Sequence, residues 1–166
     1  MKKYISITLV IFLTACSVSY KFSGASIDYS KTKTISVSDF PNRAALVNPL
    51  LSQQFSEALR ELYTRQTRLR MISSGGDMQL SGEITGYDIS HMSMQSDGLA
   101  AETKLTVSVR VQYVNVAFPS KDFERTFSAY QVFPSTRMLS EVETQLCQEI
   151  IKEITESIFN ATAADW

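Results

Sequence analysis

The chain has 166 residues with 16 basic and 17 acidic side chains, and 44% of its residues are hydrophobic. This composition is typical of a globular protein and excludes a fully disordered chain. The formal net charge of −1 also argues against a nucleic-acid-binding domain, because such a domain carries a clear excess of Lys and Arg.

The first fifteen residues have the layout of a secretory signal peptide. Two lysines precede a mostly apolar run of ten residues, and small residues then lead to Cys16. The run is too short for a membrane-spanning helix, which needs about 20 apolar residues. A Cys directly after Leu13-Thr14-Ala15 resembles the lipobox of bacterial lipoproteins, in which the chain is cut before the Cys and the Cys is acylated. We therefore predict a signal peptide at residues 1–15 and lipidation of Cys16; the alternative is an ordinary signal peptide followed by a coincidental Cys.

Cleavage at this site would leave 151 residues with 14 basic and 17 acidic side chains and a single remaining thiol, Cys147. A chain of this length can form one domain with a sizeable core. A single thiol cannot form an intramolecular disulfide. Cys147 lies on the apolar face of a predicted helix, so we interpret it as a buried structural cysteine rather than a nucleophile.

The first half of the mature chain is predicted to contain a tether, a strand and a helix. Residues 16–32 are predicted to be a lipidated tether that lies partly on the folded domain, and residues 33–166 to form that domain. Thr34 to Phe40 alternates polar and apolar side chains, which indicates a half-buried strand. Asn48-Pro49 is typical of a helix start, and apolar residues then recur on one helix face to about Gln66. Residues 69–72 are a candidate short strand.

Three strand-like segments and a second helix complete the chain. Residues 78–92 contain two glycines and predict a strand with a bulge or a strong twist. Residues 105–113 show the most regular alternation in the chain, and residues 123–132 form a less regular third strand. Ser140-x-x-Glu143 is typical of a capping box and predicts the start of the final helix.

The predicted order of elements favours two packed layers. Each helix and each strand has one apolar face, and two layers bury all of these faces together. We therefore predict an α+β two-layer sandwich (β-α-β-β-β-α), with two helices packed on one face of a four-stranded mixed sheet. The first strand is far in sequence from the other three, so we expect it to add in parallel. The other face of the sheet would be polar, and either solvated or a binding surface.

The sequence contains no group of residues that indicates catalysis, a metal site or a cofactor. The single histidine, His91, lacks the second imidazole or the spaced carboxylate that a metal site or a triad needs. Gly75-Gly76 lacks the Lys and Ser or Thr of a phosphate-binding loop. We therefore expect no enzyme, no metal and no cofactor. A lipid-anchored hydrolase is disfavoured because it would lack a general base.

Basic side chains form two candidate contact groups. Arg65, Arg68 and Arg70 lie at the end of the first predicted helix and just beyond it. Lys104 and Arg110 lie on the polar face of the most regular strand. The guanidinium group of Arg binds phosphate or carboxylate with two parallel hydrogen bonds, so both groups are candidate contacts for an anion or a partner. Favourable interaction with a helix carboxyl end explains the first group without any ligand.

Several strings occur in a characteristic order along the chain. They are Phe22-Ser23-Gly24-Ala25-Ser26-Ile27, Thr34-Ile35-Ser36-Val37, Phe40-Pro41-Asn42, Leu46-Val47-Asn48-Pro49-Leu50-Leu51-Ser52-Gln53, Phe55-Ser56-Glu57-Ala58-Leu59, Arg65-Gln66-Thr67, Gly82-Glu83-Ile84-Thr85-Gly86-Tyr87, Ile158-Phe159-Asn160 and Asp165-Trp166. In this order the chain resembles the LptE family of lipopolysaccharide-assembly lipoproteins, in the form found in Bacteroidetes-type Gram-negative bacteria. The resemblance covers essentially the whole chain after the signal peptide.

The resemblance implies a non-enzymatic lipoprotein that is anchored through Cys16 to the inner leaflet of the outer membrane and faces the periplasm. Such proteins plug the lumen of the LptD-type β-barrel, help it to assemble and assist lipopolysaccharide transport to the cell surface. The expected partners are therefore that barrel, lipopolysaccharide and the membrane, with no nucleic acid. Charge alone identifies the candidate lipopolysaccharide or partner contacts as Arg65, Arg68, Arg70, Lys104 and Arg110. The alternative function is a periplasm-facing lipoprotein that regulates a cell-wall synthase or forms part of a secretion assembly.

Overall fold

The computed structural model describes residues 27–46, 48–92 and 101–163. Its helices and strands are β1 (Thr34–Val37), α1 (Leu51–Gln66), β2 (Arg70–Ile72), β3 (Met78–Met92), β4 (Glu102–Asn115), β5 (Phe123–Pro134) and α2 (Leu139–Ala163). A short 3-10 turn at Pro119–Lys121 joins β4 to β5. The predicted signal peptide, Cys16 and the first part of the predicted tether lie outside the described residues.

The five strands form one mixed sheet in the order β2-β1-β3-β4-β5. β1 is parallel to both β2 and β3, whereas β3, β4 and β5 are antiparallel neighbours. This confirms the predicted α+β class, the mixed sheet and the parallel first strand. The sheet has five strands rather than four, because the candidate strand near residue 70 pairs with the outer edge of β1.

The amphipathic face of α1 packs against the sheet through residues spaced three or four apart. Leu51, Phe55 and Leu59 are almost completely buried. The helix begins two residues later than Asn48-Pro49 predicts, because the Asn48 Oδ1 accepts the backbone N–H of Leu50 at 3.0 Å and closes a separate turn.

The second helix, α2, lies beside α1 on the same face of the sheet. Its inner stripe includes Ile150, Ile154 and Ile158, each at most 1% exposed. The Tyr63 ring of α1 lies 5.2 Å from the Phe159 ring of α2, centroid to centroid, near the carboxyl ends of both helices. Cys147 is a buried free thiol on this stripe, as predicted.

Of the helices in the described ranges, none is both long enough and apolar enough to cross a lipid bilayer.

Buried weak acids make the stability of this core sensitive to alkaline pH. Burial, reinforced by the neighbouring Glu143 carboxylate, raises the pKa of the Cys147 thiol from 9.0 to about 11. Burial also raises the pKa of Tyr63 and Tyr87 above the usual 10.0. The folded state therefore keeps protons that the unfolded chain releases once the pH exceeds these ordinary values.

We expect the melting temperature to be unaffected by these groups below about pH 9 and to fall as the pH rises towards 11 and beyond. Thermal unfolding followed by circular dichroism at constant ionic strength would measure this. In Cys147→Ala, the decrease in melting temperature that begins near pH 9 should disappear. The decrease due to Tyr63 and Tyr87 should remain. A melting temperature that stays constant up to pH 11 would contradict the expectation.

Candidate functional site

The sheet face opposite the helices is polar and is not covered by any element of the described chain. Strand alternation assigns side chains to it, because the intervening residues of β4 are buried under the helices. We call it the open sheet face. Its central residues are Gln79, Ser81, Glu83, Asp88, Lys104, Thr106, Ser108, Arg110, Gln112, Glu124, Thr126, Ser128, Tyr130 and Val132.

The two predicted cations of β4 both lie on the open sheet face but do not form one site. Six residues of strand place Lys104 and Arg110 about 20 Å apart along β4. The Arg110 guanidinium bonds the Glu83 carboxylate of β3, and its Nε lies 3.9 Å from the Glu124 Oε1 of β5. Arg110 is therefore neutralised by the strands on either side of it.

Lys104 has a different environment on the same face. Its Nζ lies 5.3 Å from the centroid of the Tyr130 ring. No carboxylate of the described residues lies within 4.0 Å of it, so its charge remains available to an anion.

The three predicted arginines at the end of α1 and just beyond it lie in three separate environments. Arg65 is exposed on the last turn of α1, with its Nη1 3.4 Å from the Glu61 Oε1. The Arg68 guanidinium lies over the Tyr29 ring at 5.8 Å from its centroid. Arg70 is exposed at the first residue of the edge strand β2. Only the last two lie near the amino-terminal segment of the described chain.

That amino-terminal segment meets the loops at one end of the sheet through Asp77. The Asp77 Oδ2 accepts the backbone N–H of Lys33 at 2.8 Å, and both the N–H and the hydroxyl of Thr34 at 2.9 Å. These hydrogen bonds lower the pKa of Asp77, because they stabilise its charged form. The Asp77 carbonyl oxygen in turn accepts the N–H of Val116 at 2.8 Å. Three distant segments of the chain therefore share this end.

Cations from these segments surround the same end. The Lys31 Nζ and the Lys121 Nζ lie 5.2 and 5.9 Å from the centroid of the Phe118 ring. The Lys33 carbonyl oxygen accepts the backbone N–H of Arg70 at 2.9 Å. Both residues therefore lie beside the start of β1. We call this region the basic end, and its cations are Lys31, Lys33, Arg68, Arg70 and Lys121. Sequence reasoning found only the two arginines, because Lys31 lies in the predicted tether, Lys33 directly follows it and Lys121 lies in a loop.

The opposite end of the sheet is rich in exposed apolar side chains. Tyr87 donates its hydroxyl to the Glu143 Oε1 at 2.5 Å, and the Asn48 Nδ2 donates to the same oxygen at 2.9 Å. This joins the end of β3 to the starts of both helices, and Glu143 serves this contact rather than the predicted capping box. The large apolar side chains exposed on these segments are Leu46, Leu50, Ile89, Met92 and Met138. We call this region the apolar end.

A groove of about 410 Å³ lies between α1 and α2. Ala58, Leu62 and Ile151 contribute apolar surface to it, while charged side chains of both signs line the rest. Its charged side chains are Glu57, Glu61, Glu156, Arg65 and Lys152. Their formal charge of −1 does not favour an anion in this groove.

The metal-binding potential of the described residues is low. No three of their His, Cys, Asp or Glu side chains are arranged to hold a metal ion. The His91 Nδ1 instead lies 3.2 Å from the Thr103 Oγ1, which is 2.8 Å from the Ser135 Oγ.

A family model described as "LptE: Lipopolysaccharide-assembly" matches residues 32–162. Among solved structures, the chain is similar to a minor lipoprotein from Acinetobacter baumannii, with a TM-score of 0.52 and 14% identity over 80% of this chain and 98% of the other. It is also similar to "uncharacterized lipoprotein B" from Nitrosomonas europaea, with a TM-score of 0.49 and 12% identity over 76% of this chain and 79% of the other. The same comparison gives rare lipoprotein B from Shewanella oneidensis, with a TM-score of 0.45 and 10% identity over 77% and 90%. At such identities the Acinetobacter likeness shows the fold alone. No curated protein sequence matches the chain.

Proposed function

Because the chain belongs to the LptE lipopolysaccharide-assembly family, we propose that it plugs the LptD-type β-barrel of the outer membrane and helps that barrel to assemble. Membership makes the chain a non-enzymatic lipoprotein implicated in lipopolysaccharide assembly. In the proposal, residues 1–15 are removed, Cys16 carries the lipid and residues 16–32 tether the domain of residues 33–166. The domain faces the periplasm and assists lipopolysaccharide transport to the cell surface.

The open sheet face is the observation that supports contact with the barrel wall. The lumen of an outer-membrane barrel is polar, and a wet interface with many hydrogen bonds suits a face of Ser, Thr, Gln and paired charges. The 14 residues of β4 extend about 46 Å. This exceeds the apolar band of such a barrel, about 25 Å tall, so the open sheet face is long enough to follow the wall through the whole membrane.

Ion pairing on the open sheet face suggests different roles for Lys104 and Arg110. Arg110 already contacts carboxylates of β3 and β5, which suits a neutral, hydrogen-bonded wall contact. Lys104 retains an unneutralised ammonium on the same face, so it is the stronger candidate for a lipopolysaccharide phosphate.

Co-purification from detergent extracts tests the proposed function. A tagged full chain should bring down an outer-membrane β-barrel protein, and depletion of the chain should lower the amount of lipopolysaccharide at the cell surface. If no barrel co-purifies and surface lipopolysaccharide stays normal, the proposed function is wrong. An inner-membrane or soluble periplasmic partner would instead favour the alternative function.

A bulky substitution on the open sheet face tests which surface meets the barrel. Thr126 is exposed on β5, directly opposite Arg110, so Thr126→Trp projects a large ring from this face without entering the core. We expect the yield of co-purified barrel to fall at least about tenfold, the change that corresponds to 1.4 kcal/mol of binding free energy.

The matched control is Thr144→Trp, which adds the same ring at an exposed position of α2. It should leave the yield unchanged. Equal yields from the two Trp variants would show that the open sheet face is not the barrel contact.

A further inference from the structure

We propose that the basic end docks on the anionic phospholipid headgroups of the membrane that holds the chain. This inference rests on the lipid anchor at Cys16 in the proposed function. It adds a second, non-covalent contact with the bilayer, made by folded residues.

The cations of the basic end are free of carboxylate partners. None of Lys31, Lys33, Arg68, Arg70 and Lys121 has a carboxylate within 4.0 Å in the described part of the chain. Four arginines elsewhere have a carboxylate within 4.0 Å, for example Arg60 with Asp39 at 2.5 Å, whereas Arg43, Lys104, Arg125 and Lys152 do not. Five of the nine unpaired cations in the described residues therefore lie at one end of a chain whose formal net charge is −1.

The carboxylates of the basic end bond to the backbone of their own loops. The Asp28 Oδ1 accepts the N–H of Ser30 at 3.0 Å, and the Asp122 Oδ1 accepts the N–H of Asn115 at 2.7 Å. Asp77 binds the first residues of β1 in the same manner. Five cations thus face three carboxylates engaged by backbone amides, which leaves a formal charge of +2 at this end of the described chain.

Aromatic and apolar side chains beside the cations favour a membrane surface over a small soluble anion. Phe118 and Tyr29 are half-buried with cations over their rings, and Val116, two residues before Phe118, is 60% exposed. Aromatic rings prefer the interfacial layer of a bilayer, and Lys can lay its apolar stem there while its charge reaches the phosphates. A small phosphate ion would use the charges but would not cover Val116.

The basic end begins close to Cys16 in sequence, so a lipid on Cys16 would hold it near the membrane. Ten residues lie between Cys16 and Ile27, so the eleven steps along the chain span at most about 40 Å. An anchor this close raises the effective concentration of headgroups, so a modest attraction is enough for docking. The negative charge of anionic phospholipid headgroups attracts basic segments over about one Debye length. The apolar end lies at the opposite end of β3 from the basic end.

Energy transfer on reconstituted vesicles tests this docking. The full chain, extracted from membranes, would carry a fluorophore at Ser120→Cys in the exposed turn between β4 and β5, with an acceptor on the lipid headgroups. The buried Cys147 stays unlabelled in the folded chain. A second preparation labelled at Thr136→Cys, in the turn beyond β5, reports the opposite end.

Docking predicts more transfer from residue 120 when phosphatidylglycerol is added to phosphatidylcholine vesicles, and no change from residue 136. High salt should remove the difference by screening. Because each basic residue near an anionic surface contributes about a fivefold change, the double variant Lys31→Glu/Lys121→Glu should lower the ratio of docked to free protein at least about 25-fold. The control Lys152→Glu, exposed on α2, should behave as the wild type.

Equal transfer on neutral and anionic vesicles, or a double variant that behaves as Lys152→Glu does, would overturn the inference. Transfer that rises only when lipopolysaccharide is added would identify lipopolysaccharide as the ligand and would also overturn it. The mass of the purified chain reports separately whether Cys16 is acylated, and barrel co-purification tests the proposed function. The docking inference can therefore fail while Cys16 is acylated and the proposed function holds.

Discussion

Cys16→Ala should abolish fractionation of the chain with the outer membrane and leave an unprocessed precursor. In a lipobox the Cys thiol is acylated first and the chain is then cut before the Cys, and Cys16 holds that position in the predicted signal. Alanine offers no such nucleophile, so both the lipid and the cut should be lost. Density-gradient fractionation followed by immunoblotting measures the location, and the mass of the chain shows whether residues 1–15 remain.

The matched control is Cys147→Ala, which removes the other thiol. Cys147 is buried in α2, so this variant should be processed and located as the wild type is, with only some loss of core stability. A Cys16→Ala chain that is cut correctly and still sediments with the outer membrane would refute the predicted lipid anchor, and the docking surface would lose its tether.

Gly82→Ala should lower the free energy of unfolding by about 3–5 kcal/mol. A Cβ at Gly82 would overlap the backbone carbonyl oxygen of Arg110 and would lie 2.7 Å from the Phe40 ring. Strands β3 and β4 are paired on both sides of this position, so the backbone of Arg110 cannot move away without breaking the sheet. Urea unfolding followed by circular dichroism would measure the change.

Gly75→Ala is the control, because a Cβ at Gly75 meets no atom within 4 Å. Its φ of +71° still disfavours an L side chain, so we expect a loss of only about 1–2 kcal/mol. If the two alanine variants unfold at the same urea concentration, the close approach of β3 and β4 at Gly82 is not a constraint on the fold.

The fold class could be predicted because each long element carries its own periodic pattern. Residues 105–113 alternate strictly, and β4 buries every second side chain there. The helices likewise repeat their apolar residues every three or four positions. The three-residue β2 is not part of the predicted four-stranded sheet, because a segment this short shows too little alternation to distinguish an edge strand from a loop.

The candidate site was less predictable, because a charge in a sequence does not show its partner. Lys104 and Arg110 lie on the same strand and on the same face of the sheet, yet only Arg110 contacts carboxylates. Its partner Glu83 is 27 residues away, and the register of β3 on β4 brings the two together. The sequence therefore identified both cations correctly as residues of the polar face but could not tell the neutralised one from the free one.

Local patterns alone predict the export signal, and they correctly predicted the buried thiol Cys147, the amphipathic helices and the polar side of the sheet, since each depends on residues close together in the chain. Strand register and loop packing decided the ion pairs and the gathering of Lys31, Arg70 and Lys121 at one end. Those contacts join residues tens of positions apart, and their free energy depends on distances that only the folded chain defines.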